Sequence, residues 1–400
     1  MPCSCDDETV LRLGGAIVLG VSVTACGARS SLRVPDADAI ADAARDVVFS
    51  DSSIDVPPVM ACTTVWNACH PLGPGIDVSQ GGLAQSPDVA WTGREILIVF
   101  DSSPGNSIVA LSATGAPLWR ESIGGIQSPR VVWHRRANAG LVLMDSAVRW
   151  LGPDAHPVGT NLRAEMTGSQ LWADAAPIEN GFLIFSGTNA YSTPPALYRA
   201  IVGTTPGAIA WEHVADGAPR SPPERAIGDD GLGRWFVSTV WHSSVGEAYP
   251  ISADGRSGGS ISLNGVLPGD GHVCGVADRE GFAEVLIGTT TQTLVLVRVS
   301  GAAPMRRALL PFRSPRSGSG HLIRMGADTV LLAAEESDRA TGVQVAPIER
   351  DGTTGVPLLV GPMGTQSPRM AATDRGFVIV WNQGGANGLA TWAQIFECCL

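Results

Sequence analysis

Short apolar runs and polar turns alternate along most of this chain. A step resembling Ser-Pro is followed by an apolar run, a turn and a second run that ends in aliphatic or aromatic residues, and this pattern occurs seven times. Brief apolar runs bounded by turn residues predict β-strands. The clearest copies are Gln85–Trp91, Gln127–Trp133 and Gln366–Ala372, and weaker copies begin at Ser169, Ser221, Gly271 and Ser319.

The spacing of the copies predicts the fold. The third position of each copy recurs every 40 to 53 residues along the sequence. Such a period in an all-strand pattern is typical of propeller blades rather than of separate domains. We therefore predict an all-β protein with a single β-propeller of seven blades over residues 61–400, although six or eight blades would also fit the irregular copies.

The end of the chain suggests how the ring closes. The last copy has three strands and lacks a fourth, whereas Pro74–Gln85, upstream of the first copy, resembles the outer segment Pro117–Gln127. An N-terminal strand that completes the last blade would remove the open sheet edge. We expect closure of this kind.

The amino terminus carries a separate signal. Leu13–Ala25 is an apolar run too short to span a bilayer, and it is followed by Cys26-Gly27. The segment resembles the bacterial lipobox, which implies a signal peptide over residues 1–25, lipidation of Cys26 and an outer-membrane lipoprotein, either periplasmic or surface-exposed. The acidic residues ahead of the run are unusual for a signal peptide. An uncleaved anchor and a buried strand are the alternatives.

Residues 26–60 have the composition of a flexible acidic tether between the lipid anchor and the propeller. The whole chain has a net charge of −11, and most of its excess acid lies in residues 61–400. A mildly acidic domain is a poor partner for nucleic acid. We expect a monomer that contacts the membrane through its lipid anchor and has an envelope protein or polysaccharide as its other partner.

The absence of lysine excludes several kinds of chemistry. All 27 basic residues counted as Lys or Arg are arginines. A phosphate-binding P-loop, a Schiff-base enzyme and a Ser-Lys hydrolase each need a lysine. The sequence predicts neither a cofactor nor a bound metal.

Cysteine usage fits an oxidising compartment. Cys62 and Cys69 flank a short loop and could form a local disulfide. Alternatively, one of them could bond with Cys398 or Cys399 and tie the two chain ends together. A zinc site that includes His70 is a third alternative, but the spacing of four ligands is missing.

One segment resembles a known repeat family. Val109–Trp119, with its Thr-Gly turn and Trp, is similar to the repeat of pyrroloquinoline-quinone-type propellers. The resemblance implies that this turn and Trp119 dock neighbouring blades. Because the repeat also occurs in non-enzymatic envelope lipoproteins, it implies a fold more than an activity. Gly255–Gly259 fits a Gly-x-Ser-x-Gly search, but it lies between two predicted strands, where a nucleophile elbow does not form.

The third position of each copy predicts the candidate binding site. Innermost strands line the channel of a propeller, so these residues should surround one mouth. A metal held by the two histidines and an aspartate, or an anion or sugar bound by the two arginines, is chemically sensible there. A hydrated polar rim without function is the simpler alternative. The positions are Asp88, Arg130, Gln170, Pro223, His272, His321 and Arg369.

Two functions follow from these observations. A surface-tethered binding or scaffolding module in the cell envelope, without evident catalysis, fits the sparse and mixed rim best. The alternative is a hydrolase or lyase that acts on a glycan or a small substrate at the channel mouth, which would need a cluster of carboxylates.

Overall fold

The computed structural model describes residues 66–399 with short gaps. The gaps are 104, 126–127, 145–146, 164–170, 189–195, 217–223, 229–230, 241–244, 264–272, 278–282, 289–292, 300–303, 314–319, 326–328, 336–341, 350–352, 363 and 386–387. The predicted signal peptide, Cys26, the tether and Cys62 lie outside the described residues. No helix in the described part is long and apolar enough to cross a membrane.

Within the described residues, a single short 3₁₀ helix, Trp66–Ala68, precedes an all-strand structure. Two short strands come first, β1 (His70–Pro71) and β2 (Ile76–Asp77). The strands that follow form antiparallel sheets, which we number one to seven in chain order.

Sheets one to four follow one another along the chain. Sheet one contains β3 (Ala84–Trp91), β4 (Glu95–Ser102), β5 (Asn106–Ser112) and β6 (Pro117–Gly124). Sheet two contains β7 (Arg130–His134), β8 (Ala139–Met144), β9 (Ala147–Leu151) and β10 (Pro157–Arg163). Sheet three contains β11 (Leu171–Ile178), β12 (Gly181–Thr188), β13 (Ala196–Val202) and β14 (Glu212–Asp216). Sheet four contains β15 (Glu224–Ile227), β16 (Gly233–Val240), β17 (Val245–Pro250) and β18 (Ile261–Ser262).

The remaining sheets have the same order. Sheet five contains β19 (Val273–Ala277), β20 (Ala283–Gly288), β21 (Thr293–Val299) and β22 (Pro304–Arg313). Sheet six contains β23 (Gly320–Met325), β24 (Thr329–Glu335), β25 (Val343–Ile348) and β26 (Leu358–Val360). Sheet seven contains β27 (Gln366–Ala372), β28 (Gly376–Gly385) and β29 (Gly388–Glu397), and β1 and β2 both pair with β29.

The sheets are arranged as a closed ring. The first strand of each sheet contacts the first strand of the next, in the order β3, β7, β11, β15, β19, β23 and β27, and β27 in turn contacts β3. The predicted all-β propeller is therefore confirmed. Its innermost strands surround the central axis, as the sequence analysis expects.

The core lies between neighbouring sheets. In β4, Ile96 and Ile98 belong to a cluster shared with sheet seven, whereas Leu97 and Val99 belong to a cluster shared with sheet two. Successive side chains of a strand point to opposite faces, so a strand between two sheets is apolar at every position. This explains why the inner strands are continuous apolar runs.

The outer edge of sheet seven is completed from the N-terminal side. Ile76 lies opposite Ala393 of β29, within the segment that the sequence analysis expects to close the ring. The preceding strand β1 also pairs with β29, with His70 opposite Glu397. The fourth strand of the last sheet is thus supplied by two short pieces rather than by one.

A disulfide joins the two ends of the described chain. Cys69 bonds to Cys398, 329 residues away in sequence. The pairing of β1 with β29 places these two cysteines side by side. This confirms the alternative in which Cys69 ties the two chain ends together, and it corrects the local bond between Cys62 and Cys69. Cys399 is disulfide-bonded as well.

The Thr-Gly turn docks a neighbouring sheet, as the resemblance implies. Gly115 has a φ of +90°, and an added Cβ would lie 2.6 Å from Cδ1 of Ile76 in the closing strand. Trp119 stacks on His156 of sheet two with ring centroids 4.3 Å apart. Gly255 occupies a similar docking turn between β17 and β18, so the Gly-x-Ser-x-Gly match is a turn and not a nucleophile elbow.

Candidate functional site at the channel mouth

Charged side chains gather where the innermost strands begin. Asp88, Arg130, His321 and Arg369 lie on these strands, as predicted, whereas Gln170, Pro223 and His272 lie outside the described residues. In sheets three and four the corresponding charged positions are Asp174 and Glu224. They come four residues after position 170 and one residue after position 223.

The correspondence rests on a repeated hydrogen bond between neighbouring sheets. The backbone N–H of Val131, the residue after Arg130, donates to Oδ2 of Asp88 at 2.9 Å. In the same way the N–H of Arg225, the residue after Glu224, donates to Oδ2 of Asp174 at 2.9 Å. Each aspartate therefore links its own sheet to the next sheet in the ring.

His321 makes the equivalent link between sheets six and seven. The N–H of Met370, the residue after Arg369, donates to Nδ1 of His321 at 3.1 Å. An imidazole nitrogen that accepts a hydrogen bond is unprotonated. Burial, aided by the nearby Arg369, lowers the pKa of His321 to about 3, so the ring is neutral at physiological pH.

Glu224 pairs with two arginines across the channel. Its Oε1 accepts from Nη2 of Arg130 at 2.9 Å and from Nη2 of Arg369 at 3.0 Å. These residues belong to sheets four, two and seven. The side chains of Glu224 and Arg130 are 11% and 10% exposed, so the pair is largely shielded from water.

Arg225 completes the network from the other side. Its Nη1 donates to Oδ1 of Asp174 at 2.6 Å, and its Nη2 lies 3.2 Å from Oδ2 of Asp88. The Asp174 and Asp88 side chains are almost fully buried. Three carboxylates and three guanidinium groups therefore meet in one cluster, which we call the channel network: Asp88, Arg130, Asp174, Glu224, Arg225 and Arg369.

Neighbouring charges favour the ionised forms of Asp88, Glu224 and Arg225 in the network. Burial alone would raise the pKa of Asp88, but Arg225, Arg130 and Arg369 outweigh burial and lower it. Burial opposes ionisation of Glu224 as well, and its two arginine partners lower its pKa. The carboxylates in turn raise the pKa of Arg225. Asp174 differs from the other two carboxylates, because burial raises its pKa although Arg225 opposes that effect. With all six groups in their charged forms and His321 neutral, the charges of the network sum to zero.

This geometry limits the chemistry of the mouth. A metal ion at His321 would need the lone pair on Nδ1 of its neutral ring, which already accepts the N–H of Met370. His272, the other histidine of the predicted metal site, lies outside the described residues. Among the described residues, no three histidine, cysteine or acidic side chains are placed to hold a metal ion. Arg130 and Arg369 share Glu224 and also interact electrostatically with Asp88, so the two carboxylates already compensate their charges.

The sequence analysis missed Asp174, Glu224 and Arg225. The weaker third and fourth copies have no Gln-Ser-Pro step, so their register could not be fixed from the pattern. A usable signal was present, because Asp174 is the lone charge in the otherwise uncharged strand Leu171–Ile178, as Asp88 is in Ala84–Trp91. A charge isolated in a buried strand needs a partner.

Comparisons with known proteins show the fold alone. No family model matches the sequence, and no curated protein matches it. Solved structures do match. A protein of unknown function from Dyadobacter fermentans has a TM-score of 0.52 at 13% identity, over 83% of this chain and 99% of that one. The β-propeller domain of Cps50 (Swd1) from Myceliophteria thermophila has a TM-score of 0.51 at 9% identity, over 80% and 98%.

A puromycin hydrolase is also similar, with a TM-score of 0.53 at 16% identity. The match covers 78% of this chain but only 52% of that enzyme. The present chain therefore spans about half the length of the hydrolase, and the likeness concerns the propeller.

Proposed function

We propose that this protein is a lipid-anchored lipoprotein of the outer membrane whose seven-bladed propeller is a binding module for an envelope component. The lipobox-like segment that ends at Cys26 supports the anchor, and the observation that carries the binding module is the channel network. Its buried charges compensate one another and join sheets across the axis, which favours a rigid scaffold with its loops free to bind a partner.

The alternative of a hydrolase or lyase at the mouth has less support. Glycan cleavage by a carboxylate pair needs one carboxylic acid that can donate a proton and one carboxylate that can attack or activate water. Asp88, Asp174 and Glu224 each pair with an arginine in the described network. The pKa values of Asp88 and Glu224 are lowered, so these two groups are poorly suited to donate a proton, whereas burial raises the pKa of Asp174.

The anchor is tested in the full chain by replacing the lipidated residue. Wild type and Cys26→Ser are expressed in a Gram-negative host with radioactive palmitate, and the envelope is fractionated. We expect label and membrane sedimentation for the wild type, and an unlabelled variant in the soluble fraction. An unlabelled wild type would refute the anchor.

The binding role is tested with purified envelope material. Wild-type protein is mixed with cell-wall sacculi and, separately, with outer-membrane vesicles, and the pellet is assayed for bound protein while the supernatant is assayed for newly released reducing ends. We expect retention without release. Release of reducing ends in proportion to the amount of wild-type protein added would instead support the hydrolase.

A further inference from the structure

The Gln-Ser-Pro step recurs on three sheets that are consecutive in the ring. The three copies precede or begin the innermost strands of sheets seven, one and two, directly before Arg369, Asp88 and Arg130 of the channel network. Their described residues, which do not include Gln127, therefore lie along one arc of the same channel mouth. The copies are Gln366-Ser367-Pro368, Gln85-Ser86-Pro87 and Gln127-Ser128-Pro129.

Each serine adopts a conformation that disfavours it. The φ angles are 47° for Ser86, 39° for Ser128 and 55° for Ser367, in the left-handed region. Side chains other than glycine are strained there, and the following proline further favours an extended conformation instead. Glycine would relieve the strain at each position. A side chain kept three times at such positions indicates that the side chain itself is used.

The copies present polar groups to solvent. Pro87, Pro129 and Pro368 are buried, whereas Ser128 is exposed and Ser86 is half-buried. A bulge interrupts strand pairing after Gln85, and another does so after Gln366. Bulges re-aim side chains at the rims of sheets. Each buried proline therefore anchors a strained segment at the channel mouth.

The exposed groups have unused hydrogen-bonding capacity. In the part of the chain that the structure describes, the hydroxyls of Ser86 and Ser128 and the side-chain amides of Gln85 and Gln366 make no hydrogen bond. Hydroxyl and amide groups each both donate and accept hydrogen bonds. These hydroxyl and amide groups lie beside the channel network, in which each charged side chain is already paired. A charged ligand would therefore find no unpaired opposite charge in the network.

We propose that this rim, made of Gln85, Ser86, Ser128 and Gln366 on sheets seven, one and two, binds a neutral polyhydroxylated ligand, namely a glycan strand of the envelope. Sugar hydroxyls both donate and accept hydrogen bonds, as the rim groups do, whereas a peptide backbone has fixed donors and acceptors. The inference rests on the proposed binding function and names the chemical class of its ligand and the residues that recognise it.

The test compares two ways of removing the rim hydroxyls in the full chain. Ser86→Gly/Ser128→Gly removes the hydroxyls and the backbone strain, whereas Ser86→Ala/Ser128→Ala removes only the hydroxyls. The control is Asn138→Gly, which also replaces a residue of positive φ (47°), in the turn between β7 and β8 at the opposite end of the strands. Titration calorimetry with chitotetraose, maltotetraose and anionic tetragalacturonate measures binding, and thermal unfolding measures stability.

We expect the wild type and Asn138→Gly to bind at least one neutral tetrasaccharide, with binding at least tenfold weaker in both serine variants. The glycine variant should unfold at a temperature no lower than the wild type. A glycine variant less stable than the wild type would show that the serines are structural, which would overturn the inference.

The remaining outcomes separate this inference from the proposed function. Equal binding by wild type and both serine variants would place the ligand elsewhere and leave a binding module intact. Binding of tetragalacturonate alone would refute the neutral class of ligand. Failure to bind every tetrasaccharide refutes the rim inference, and if sacculi and vesicles are also not bound, the binding role fails too.

Discussion

The ring of sheets is held together in two places by different interactions. Around the axis, the channel network joins sheets one to four and seven through buried ion pairs and backbone hydrogen bonds. At the outer edge of sheet seven, β1 and β2 add backbone pairing, and a disulfide between Cys69 and Cys398 adds a covalent bond. We call the contacts around the axis the inner closure and those at the edge of sheet seven the outer closure. Ion pairs dominate the inner closure, whereas the outer closure consists of strand pairing and a disulfide.

The difference affects how each closure fails. Buried charges depend on one another, since removing one leaves its partners uncompensated in a poorly solvated place. Strand pairing at an edge can open locally while the rest of the ring stays folded. We therefore expect damage to the axis to weaken the whole ring and damage to the edge to remain near sheet seven.

The largest effect is expected for Glu224→Gln. The change leaves Arg130 and Arg369 without their shared carboxylate, and breaking a buried ion pair costs about 3–5 kcal/mol. Chemical denaturation should show this loss in the free energy of unfolding. Hydrogen exchange should show faster exchange in several sheets.

The matched control is Glu212→Gln on an outer strand. Glu212 also pairs with an arginine, Arg199, at 2.8 Å, but its side chain is 65% exposed. An exposed ion pair contributes roughly 0–1 kcal/mol. Equal losses for the two variants would mean that the channel network has no special role in closing the ring.

The next effect concerns the outer closure. Cys69→Ala/Cys398→Ala removes the disulfide and keeps small apolar side chains, with an expected loss of about 2–4 kcal/mol in the free energy of unfolding. Amide exchange should increase in β1, β2 and β29 and change little at the axis. Exchange that increases equally around the ring would contradict the distinction between the two closures.

The two closures also differ in how far the sequence predicts them. The outer one can be read from repeat resemblance alone, because Pro74–Gln85 resembles an outer segment of sheet one and the last copy lacks a strand. The inner one depends on the register of the third and fourth copies, where small displacements hid Asp174 and Glu224. A shift of a single residue in the assumed register moves every side chain of a strand to the opposite face. Weak repeats therefore still predict the number and order of strands, but they do not predict which side chains meet at the site.

The choice of disulfide partners shows the same limit. The sequence supplies candidate thiols near both ends, and the repeat pattern indicates that these ends meet. Selecting Cys398 as the partner of Cys69 requires the register of β1 against β29, in which His70 lies opposite Glu397. That register comes from two-residue strands that no apolar pattern marks.

The smallest effect concerns pH. The folded pKa of His321 lies near 3, below the unfolded value of 6.5. As pH falls below 6.5, the unfolded chain binds a proton that the folded chain does not, so His321 makes stability decrease between pH 6.5 and 3. One such group costs about 1 kcal/mol between pH 7 and pH 5.5.

His321→Asn tests this account, because asparagine can still accept the N–H of Met370 but does not titrate. Urea unfolding at pH 7, 6.25 and 5.5 should show a shallower decrease in stability for the variant than for the wild type. His134, another residue whose pKa is lowered by burial, supplies a matched comparison at the other end of an inner strand. The contrary outcome is that His134→Asn reduces the dependence of unfolding free energy on pH while His321→Asn leaves it unchanged. In that case the imidazole of His321 is not kept neutral in the folded protein, and the contacts around the axis depend on the ion pairs alone.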